Sequence, residues 1–432
     1  MFPVPTTLIV RALLLGLLLT SSWALAQEAG AFETSTLDLA EAQARAQAYS
    51  PLLAAVSLGQ EAASARRDQA GRWENPNLGL ELEDFSGKDE YSGFNAAVWT
   101  LAISQVFDLS GKRSTTKDMF TEEISLLDWD RQSALLDLQQ EVGLAFGEVW
   151  FAQEAVALVQ EQKELAVQLQ AELAARFEAG GGSPIEVTRA RVGVSSAAVA
   201  MVQAEERLRT ARHFLASLWG AEESDFSRVT LNPSFWEQEV ITPDTSSIAA
   251  NPDIARWDGV HSLQNAHLKV AKAATGVDLE VALGMKLEQE SGTTALVLAA
   301  GIPLPVSDRN QDEVRAIGYD LERVSMLKKD SVNSILAQLA IAVENQNSTR
   351  RELEIMAAEI IPLARQAYEE TRSAHQRGLF SLTDVLETRR NLFGLLRVEL
   401  ETQLRFYDAT VKVARLTGGL VLNADPAALE VQ

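Results

Sequence analysis

Asp384 and Glu387 stand three residues apart at the start of a heptad-patterned segment, just after the turn Gly378-Leu379-Phe380-Ser381. On a helix that spacing puts both carboxylates on one face, one turn deep. Acids in a first turn have an ordinary use, because the positive end of the helix dipole favours them there. They gain a second use where several copies of the helix surround an axis. One acid per chain then becomes a ring of carboxylates, which selects cations and can hold a constriction. Glu186 occupies the same place after an earlier turn, Gly180-Gly181-Gly182-Ser183.

Other chemistry finds little support. The four histidines, His213, His261, His267 and His375, make no pair at i,i+3 or i,i+4 and no His-Glu-x-x-His motif, so a histidine metal site within one chain is not expected. The Met residues are dispersed. The Gly180-Gly181-Gly182 run lacks the Lys-Ser/Thr pair of a phosphate loop, and no Gly-x-Ser-x-Gly elbow occurs. Glu81 and Glu83 alternate along a strand-like run and read as a solvated face. No catalytic constellation and no cofactor is expected. The absence of Cys excludes disulfides, thiolate metal sites and a lipidated N-terminal cysteine. A net charge of −22 disfavours nucleic acid and anionic lipid headgroups as partners.

The elements that hold these acids come in two copies. Ala179-Gly180-Gly181-Gly182-Ser183-Pro184-Ile185-Glu186-Val187 is echoed by Arg377-Gly378-Leu379-Phe380-Ser381-Leu382-Thr383-Asp384-Val385, and Leu218-Trp219-Gly220 by Leu416-Thr417-Gly418. Tyr49-Ser50-Pro51 likewise answers Ala250-Asn251-Pro252. Each half reads as helix, strand, strand, long helix, turn, long helix, which implies two copies of one structural unit. The boundaries expected are a first repeat over 27–220, a Pro- and Ser-bearing linker over 221–247, a second repeat over 248–419 and a tail over 420–432.

Four runs carry strand periodicity. Leu78, Leu80 and Leu82 alternate with Gly79, Glu81 and Glu83. Val277 to Leu287 alternate with Asp278, Glu280, Lys286 and Glu288, and the partner runs are Trp99–Ser104 and Leu296–Ile302. Alternating strands of about ten residues suit a membrane barrel, and equally a sheet packed on a water-soluble core. A closed barrel needs about eight strands, so a membrane reading requires several copies of the chain; three would supply about twelve.

The long helices are predicted over Lys117–Ala179 and Gln311–Arg377, the second interrupted once, at Pro362. A run of that length is roughly 100 Å of helix. Leu135, Val142, Val149 and Val156 recur at sevens, as do Leu138, Ala145, Ala152, Val159, Ala166 and Leu173. Together they form an a/d seam. A second stripe, Leu144, Phe151, Leu158 and Leu165, lies about 130° around the helix. One helix with two seams has neighbours on both sides. The return helices repeat Val187, Val194, Met201, Leu208 and Leu215, then Leu386, Phe393, Leu400 and Tyr407.

The first 26 residues read as a signal peptide, with Arg11, an apolar run over Ala12–Leu19 and the site Ala24-Leu25-Ala26. No later stretch reads as a transmembrane helix.

Three segments carry a family resemblance. They are the turn Gly378–Leu386, the strand entry Asn75-Pro76-Asn77-Leu78, and Ile302-Pro303-Leu304-Pro305-Val306-Ser307-Asp308-Arg309-Asn310-Gln311. The chain resembles TolC-type outer membrane efflux proteins over nearly its whole mature length, and within them the heavy-metal cation-efflux (CzcC-like) branch. The resemblance implies a homotrimer, mainly α-helical, with an α-helical barrel in the periplasm and a twelve-stranded β-barrel in outer membrane lipid, four strands per chain. It implies that the turns, Gly180, Gly181, Gly182, Ser183 and Gly378, Leu379, Phe380, Ser381, are tips that meet a periplasmic adaptor, itself joined to a proton-driven inner-membrane pump. It also implies a gate at Asp384 and Glu387, with Glu186 standing where the first repeat carries its acid. His375 replaces a Tyr that helps close the tips in some relatives, and the Gly-rich first turn implies a looser tip. Many relatives carry a lipidated Cys; this chain has none and would be held by its barrel alone. The function expected is a passive export duct. The competing readings are a drug-efflux or protein-secretion duct, or a periplasmic coiled-coil adaptor or scaffold.

Overall fold

The computed structural model describes residues 36–91, 93–232, 235–236, 248 and 251–418. The signal peptide, the C-terminal tail and most of the linker beyond Trp236 lie outside the described residues. The chain divides into two compact units. One draws on Met1–Pro51, Leu135–Asp244 and Ala337–Gln432, and the other on Leu52–Ala134 and Thr245–Leu336.

In chain order the elements are β1 (Thr36–Leu37), α1 (Leu39–Tyr49), α2 (Pro51–Ala70), β2 (Asn77–Glu83), β3 (Val98–Asp108), α3 (Lys112–Glu178), α4 (Pro184–Ser217) and β4 (Arg228–Val229). They continue with α5 (Pro252–Ala273), β5 (Asp278–Glu288), β6 (Thr293–Gly301), α6 (Gln311–Ile355), α7 (Ile361–Gln376) and α8 (Leu382–Leu416).

The second unit holds an open, antiparallel four-stranded sheet in the order β2-β3-β5-β6. Its register aligns Leu78, Ile103, Leu283 and Leu298 in one row and Leu80, Leu101, Met285 and Leu296 in another. Residues directly opposite in an antiparallel ladder share a face, so both rows stand on the same side. All eight side chains are exposed, Leu296 to 82%. The opposite face carries Gly79, Glu81, Thr100, Ala102, Gly284, Lys286, Val297 and Ala295 in register. Alternation alone left two readings of these strands. The exposed apolar face rules out a sheet whose apolar side packs on a water-soluble core. A contiguous apolar surface of this kind marks a membrane or protein interaction site.

The strand-to-helix junction is built by Asp108 at the end of β3. Its Oδ1 accepts from the Ser110, Gly111 and Lys112 amides at 3.1, 2.8 and 3.1 Å, and its Oδ2 from Arg113 N at 2.8 Å. One carboxylate thus satisfies most of the free donors that open α3. This is why α3 begins at Lys112 and not at Lys117 as the pattern suggested. Lys112 also pairs with Asp278 of β5 at 2.7 Å. Around α5, Arg256 bonds Asp130 at 2.8 Å, and Asp253 accepts from the Ser133 hydroxyl.

In the first unit, α3 buries Leu138, Val142, Ala145, Val149, Ala152, Ala166 and Leu173, all members of the predicted seam. The second stripe is also used, since Phe151 is buried and Leu158 and Leu165 pack against the buried cluster that includes Tyr368, Leu392 and Phe393. Gly143 and Gly147 were not part of either stripe. They are buried because α8 comes close: a Cβ at Gly143 would lie 3.0 Å from Val411, and one at Gly147 would lie 2.5 Å from the Tyr407 ring. An 18-residue window of α3 is apolar enough, by composition, to cross a membrane, but half of it is buried inside the protein, as a core helix is.

Pro362 interrupts the second long helix as expected, and it does so through a π-helical turn, Met356–Ile360, between α6 and α7. Proline lacks the amide that would bond four residues back, and a π turn is a recurrent way of accommodating such a break. The two-stranded β1-β4 pair is parallel, with Leu37 opposite Val229.

Candidate functional site

The two turns that join α3 to α4 and α7 to α8 adopt one backbone solution. In the first, Gly180 N donates to Phe177 O at 2.9 Å and Gly181 N to Arg176 O at 3.0 Å. In the second, Gly378 N donates to His375 O at 2.9 Å and Leu379 N to Ala374 O at 3.0 Å. Gly180 and Gly378 have φ of 80° and 78°. That is the left-handed region in which a helix commonly ends and which glycine alone enters without strain.

Each following helix opens with a capping box. At α4, Ser183 Oγ accepts from Ile185 N at 3.3 Å, while Glu186 Oε2 accepts from Ser183 N at 3.4 Å. At α8, Asp384 Oδ2 accepts from Ser381 N at 2.8 Å and from Ser381 Oγ at 2.6 Å, and Asp384 N donates to Ser381 Oγ at 3.3 Å. The hydrogen bonds from the Ser381 hydroxyl and amide hold the Asp384 carboxyl below its ordinary value of 3.8, and His375 nearby adds to the effect. Glu387 is exposed, with no hydrogen bond or ion pair among the described residues. The structure thus joins Ser381 to Asp384 and Ser183 to Glu186, and it gives no contact between Asp384 and Glu387 or Glu186.

His375 is buried, and its Nδ1 lies 2.9 Å from the Phe380 carbonyl. A carbonyl only accepts, so Nδ1 carries the hydrogen. The histidine therefore ties the second turn to its own helix end. Leu379 and Phe380 are exposed at the tip of that turn, Phe380 to 52%.

Sequence reasoning missed the polar link beside the turns. Arg372 of α7 pairs with Glu172 of α3 at 2.6 Å, and Gln376 reaches the same carboxylate at 3.5 Å. The bond to Glu172 raises the Arg372 pKa. Tyr368, one turn earlier, is buried, and burial raises its hydroxyl. Tyr368, Arg372 and Gln376 recur at four-residue spacing, which is a legible face; their partner stands about 200 residues away and leaves no local signal. Arg389 of α8 was also missed. Burial lowers its pKa, and its Nη1 is buried with no hydrogen-bond partner. Among the described residues no group of three His, Asp or Glu is arranged to hold a metal.

An open sheet with an exposed apolar face and long helices joined by capped turns give the chain the fold of solved outer membrane channel structures. Residues 37–221 match the family model for outer membrane efflux proteins. Over those residues the chain is similar to outer membrane efflux proteins. It is similar to the cobalt-zinc-cadmium resistance protein CzcC of Cupriavidus metallidurans, 25% identical over 348 residues that cover 80% of this chain and 81% of that protein. It is also similar to the pyoverdine export outer membrane protein OpmQ of Pseudomonas putida, 24% identical over 392 residues, 88% of this chain and 81% of that one. Its fold matches a crystal structure of CusC with a TM-score of 0.76 at 15% identity, over 90% of this chain and 94% of that chain.

Proposed function

We propose that the chain is one subunit of a passive trimeric export duct. Three copies pair their open β2 and β6 edges into a twelve-stranded barrel in the outer membrane, and their paired helices form an α-helical barrel in the periplasm. The observation that carries this reading is the double row of exposed leucine, isoleucine and methionine on an open sheet. Such a face is stable against lipid, and lipid does not tolerate unpaired strand edges. The two halves of each chain act as structural repeats, so six hairpin turns surround one opening.

In this assembly Asp384, Glu387 and Glu186 form acidic rings near the tips, with Asp384 and Glu186 also capping their helices. The rings favour cations and narrow the closed channel. The turns Gly180–Ser183 and Gly378–Ser381 meet a periplasmic adaptor, which joins the duct to a proton-driven inner-membrane pump. The duct hydrolyses nothing. The substrate class we infer is divalent heavy-metal cations, supported by the similarity to CzcC over most of both chains and by the acidic turns. The match to OpmQ favours a second reading, export of pyoverdine.

The assembly is tested by the mass of the purified protein in detergent. A stable trimer is expected, and a monomer that persists without detergent would refute the barrel. For the substrate, deletion of the gene is expected to sensitise cells to cobalt, zinc or cadmium salts. Sensitivity confined to organic compounds or chelators would overturn the cation reading.

A further inference from the structure

Where β3 gives way to α3, three side chains are stacked. The Arg113 guanidinium lies over the Trp73 ring, 3.9 Å from its centroid, and the Trp73 ring meets Phe107 edge-on, with centroids 6.2 Å apart. The end of β3 positions this stack. Asp108 holds the Arg113 amide at 2.8 Å, and Gln105 Nε2 donates to the Glu74 carbonyl at 3.0 Å. Gln105 and Phe107 fall on the same side of β3 as Leu101 and Ile103, because alternate residues of a strand share a face. The stack therefore borders the exposed apolar rows. Trp73 and Leu109 are themselves exposed, to 56 and 61%.

Stacking uses the flat face of a guanidinium and leaves its N–H edge free. No ion pair or hydrogen bond engages the side-chain nitrogens of Arg72, Arg113 or Lys117 among the described residues. Lys117 follows Arg113 by four residues, on the same face of α3. Its stem runs beside Gly71, where a Cβ would lie 3.4 Å from Lys117 Cδ, so the lysine reaches the end of α2. Most acids nearby are committed. Asp68 pairs with Arg67 at 2.9 Å, Asp278 pairs with Lys112 at 2.7 Å, and Asp108 accepts from four amides. Glu74 and Asp118 are exposed. In a chain of net charge −22, an apolar face thus ends on a row of open cations.

We propose that Arg113, Lys117 and Arg72 bind the phosphodiester headgroup of an anionic phospholipid, with Trp73 beside its glycerol and ester groups and Leu109 against its first acyl carbons. The proposal rests on the reading that the apolar rows face lipid, and it names the headgroup chemistry at their helix-bearing edge. A guanidinium fork matches two phosphate oxygens. An indole is stable at the boundary between headgroups and acyl chains, and a lysine stem can lie on apolar surface while its charge reaches water. A small free phosphate would use the charges and leave Trp73, Phe107 and Leu109 uncovered. The negative charge of the whole chain opposes any general attraction to anionic lipid, so a preference for it has to come from a local site.

The test uses the full chain, delipidated in neutral detergent, with dioctanoyl phosphatidylglycerol as probe and dioctanoyl phosphatidylcholine and glycerol phosphate for comparison. Native mass spectrometry is expected to show phosphatidylglycerol bound at least about fivefold more tightly than phosphatidylcholine, roughly the factor one cation contributes at an anionic lipid surface. Arg113→Gln should remove most of this preference and Lys117→Gln a smaller part, while Trp73→Leu should weaken binding of both lipids. Lys117 is an exposed side chain, so its variant keeps the test open if Arg113→Gln disturbs folding. Equal binding of the two lipids, or a preference untouched by both charge variants, would overturn the proposal. So would glycerol phosphate binding as tightly as phosphatidylglycerol, which would make this a free-phosphate site. Flotation with liposomes separates the proposal from the reading beneath it. Protein that floats with phosphatidylcholine liposomes but shows no phosphatidylglycerol preference refutes the headgroup site alone. Protein that floats with liposomes of neither lipid refutes the lipid-facing sheet.

Discussion

The two turns share a hydrogen-bond pattern and differ in almost everything attached to it. The first is Gly181-Gly182 with Pro184 opening the next helix, and Arg176 Nε closes back on Gly181 O at 3.1 Å. The second presents Leu379 and Phe380 to solvent and is held from beneath by His375. The cap acid bonds the serine amide at 3.4 Å in the first and at 2.8 Å in the second. The helices that follow differ as well. α4 buries four alanines and Leu215, whereas α8 buries aromatic and branched residues along its length, Phe393, Phe406, Tyr407 and Val411 among them. One backbone geometry thus serves a light, half-exposed hairpin and an anchored one with an apolar tip.

The largest expected effect tests whether the tips can exchange residues. Gly182 packs so closely on Phe177 that a Cβ would lie 3.1 Å from its amide nitrogen and 3.2 Å from its Cα. Gly182→Phe, which copies the second tip into the first, should cost about 1–3 kcal/mol of stability. Phe380→Gly should leave the second turn folded while weakening adaptor capture. Equal thermal shifts in the two variants would mean that the tips are interchangeable.

A smaller effect concerns the anchored helix. Burial raises the Asp408 carboxyl on α8 from 3.8 to about 6, against a lowering by Lys412 and with a further rise from Glu148. The folded state holds this proton more tightly than the unfolded state, so stability falls as pH rises from about 3.8 to about 6. Asp408→Asn should therefore stabilise the protein at pH 8 by about 1 kcal/mol, after discounting for partial exposure, and by nothing below pH 3.8. A melting temperature raised equally at pH 8 and pH 3.5 would reject the burial account.

Smaller still is the difference between the caps. Asp384→Ala should speed amide exchange at the start of α8 more than Glu186→Ala does at the start of α4, following the shorter bonds of Asp384. Because the Asp384 pKa is lowered, its contribution persists above 3.8 and is lost as pH falls below that value. Equal exchange rates in the two variants would show that the tighter cap has no energetic consequence.

The least expected change is from Glu172→Gln, since the Glu172–Arg372 pair is partly exposed and worth up to about 1 kcal/mol. Loss of more than that would give this link a larger part in holding α3 to α7.

Periodicity is what made the fold legible. The seam from Leu138 to Leu173 and the strand rows at Leu78 and Leu298 write their burial or exposure into local spacing, at sevens and at twos. The capping boxes were legible for the same reason, because Ser183 to Glu186 and Ser381 to Asp384 span one turn. What spacing alone cannot supply is a partner far along the chain. The Glu172–Arg372 pair, the glycines under Tyr407 and Val411, and the burial of Arg389 Nη1 all depend on which helices meet. Strand alternation was ambiguous because it does not say which medium the apolar side faces; the exposed rows say that it faces away from the protein.

Single-channel recording in planar bilayers tests the central claim most directly. The purified protein should give discrete, cation-selective conductance steps, and Asp384→Ala with Glu387→Ala should give larger steps with weaker cation preference. Steps of unchanged size and selectivity would confine Asp384 to capping and Glu387 to a solvated surface, and the absence of any conductance would contradict the duct itself.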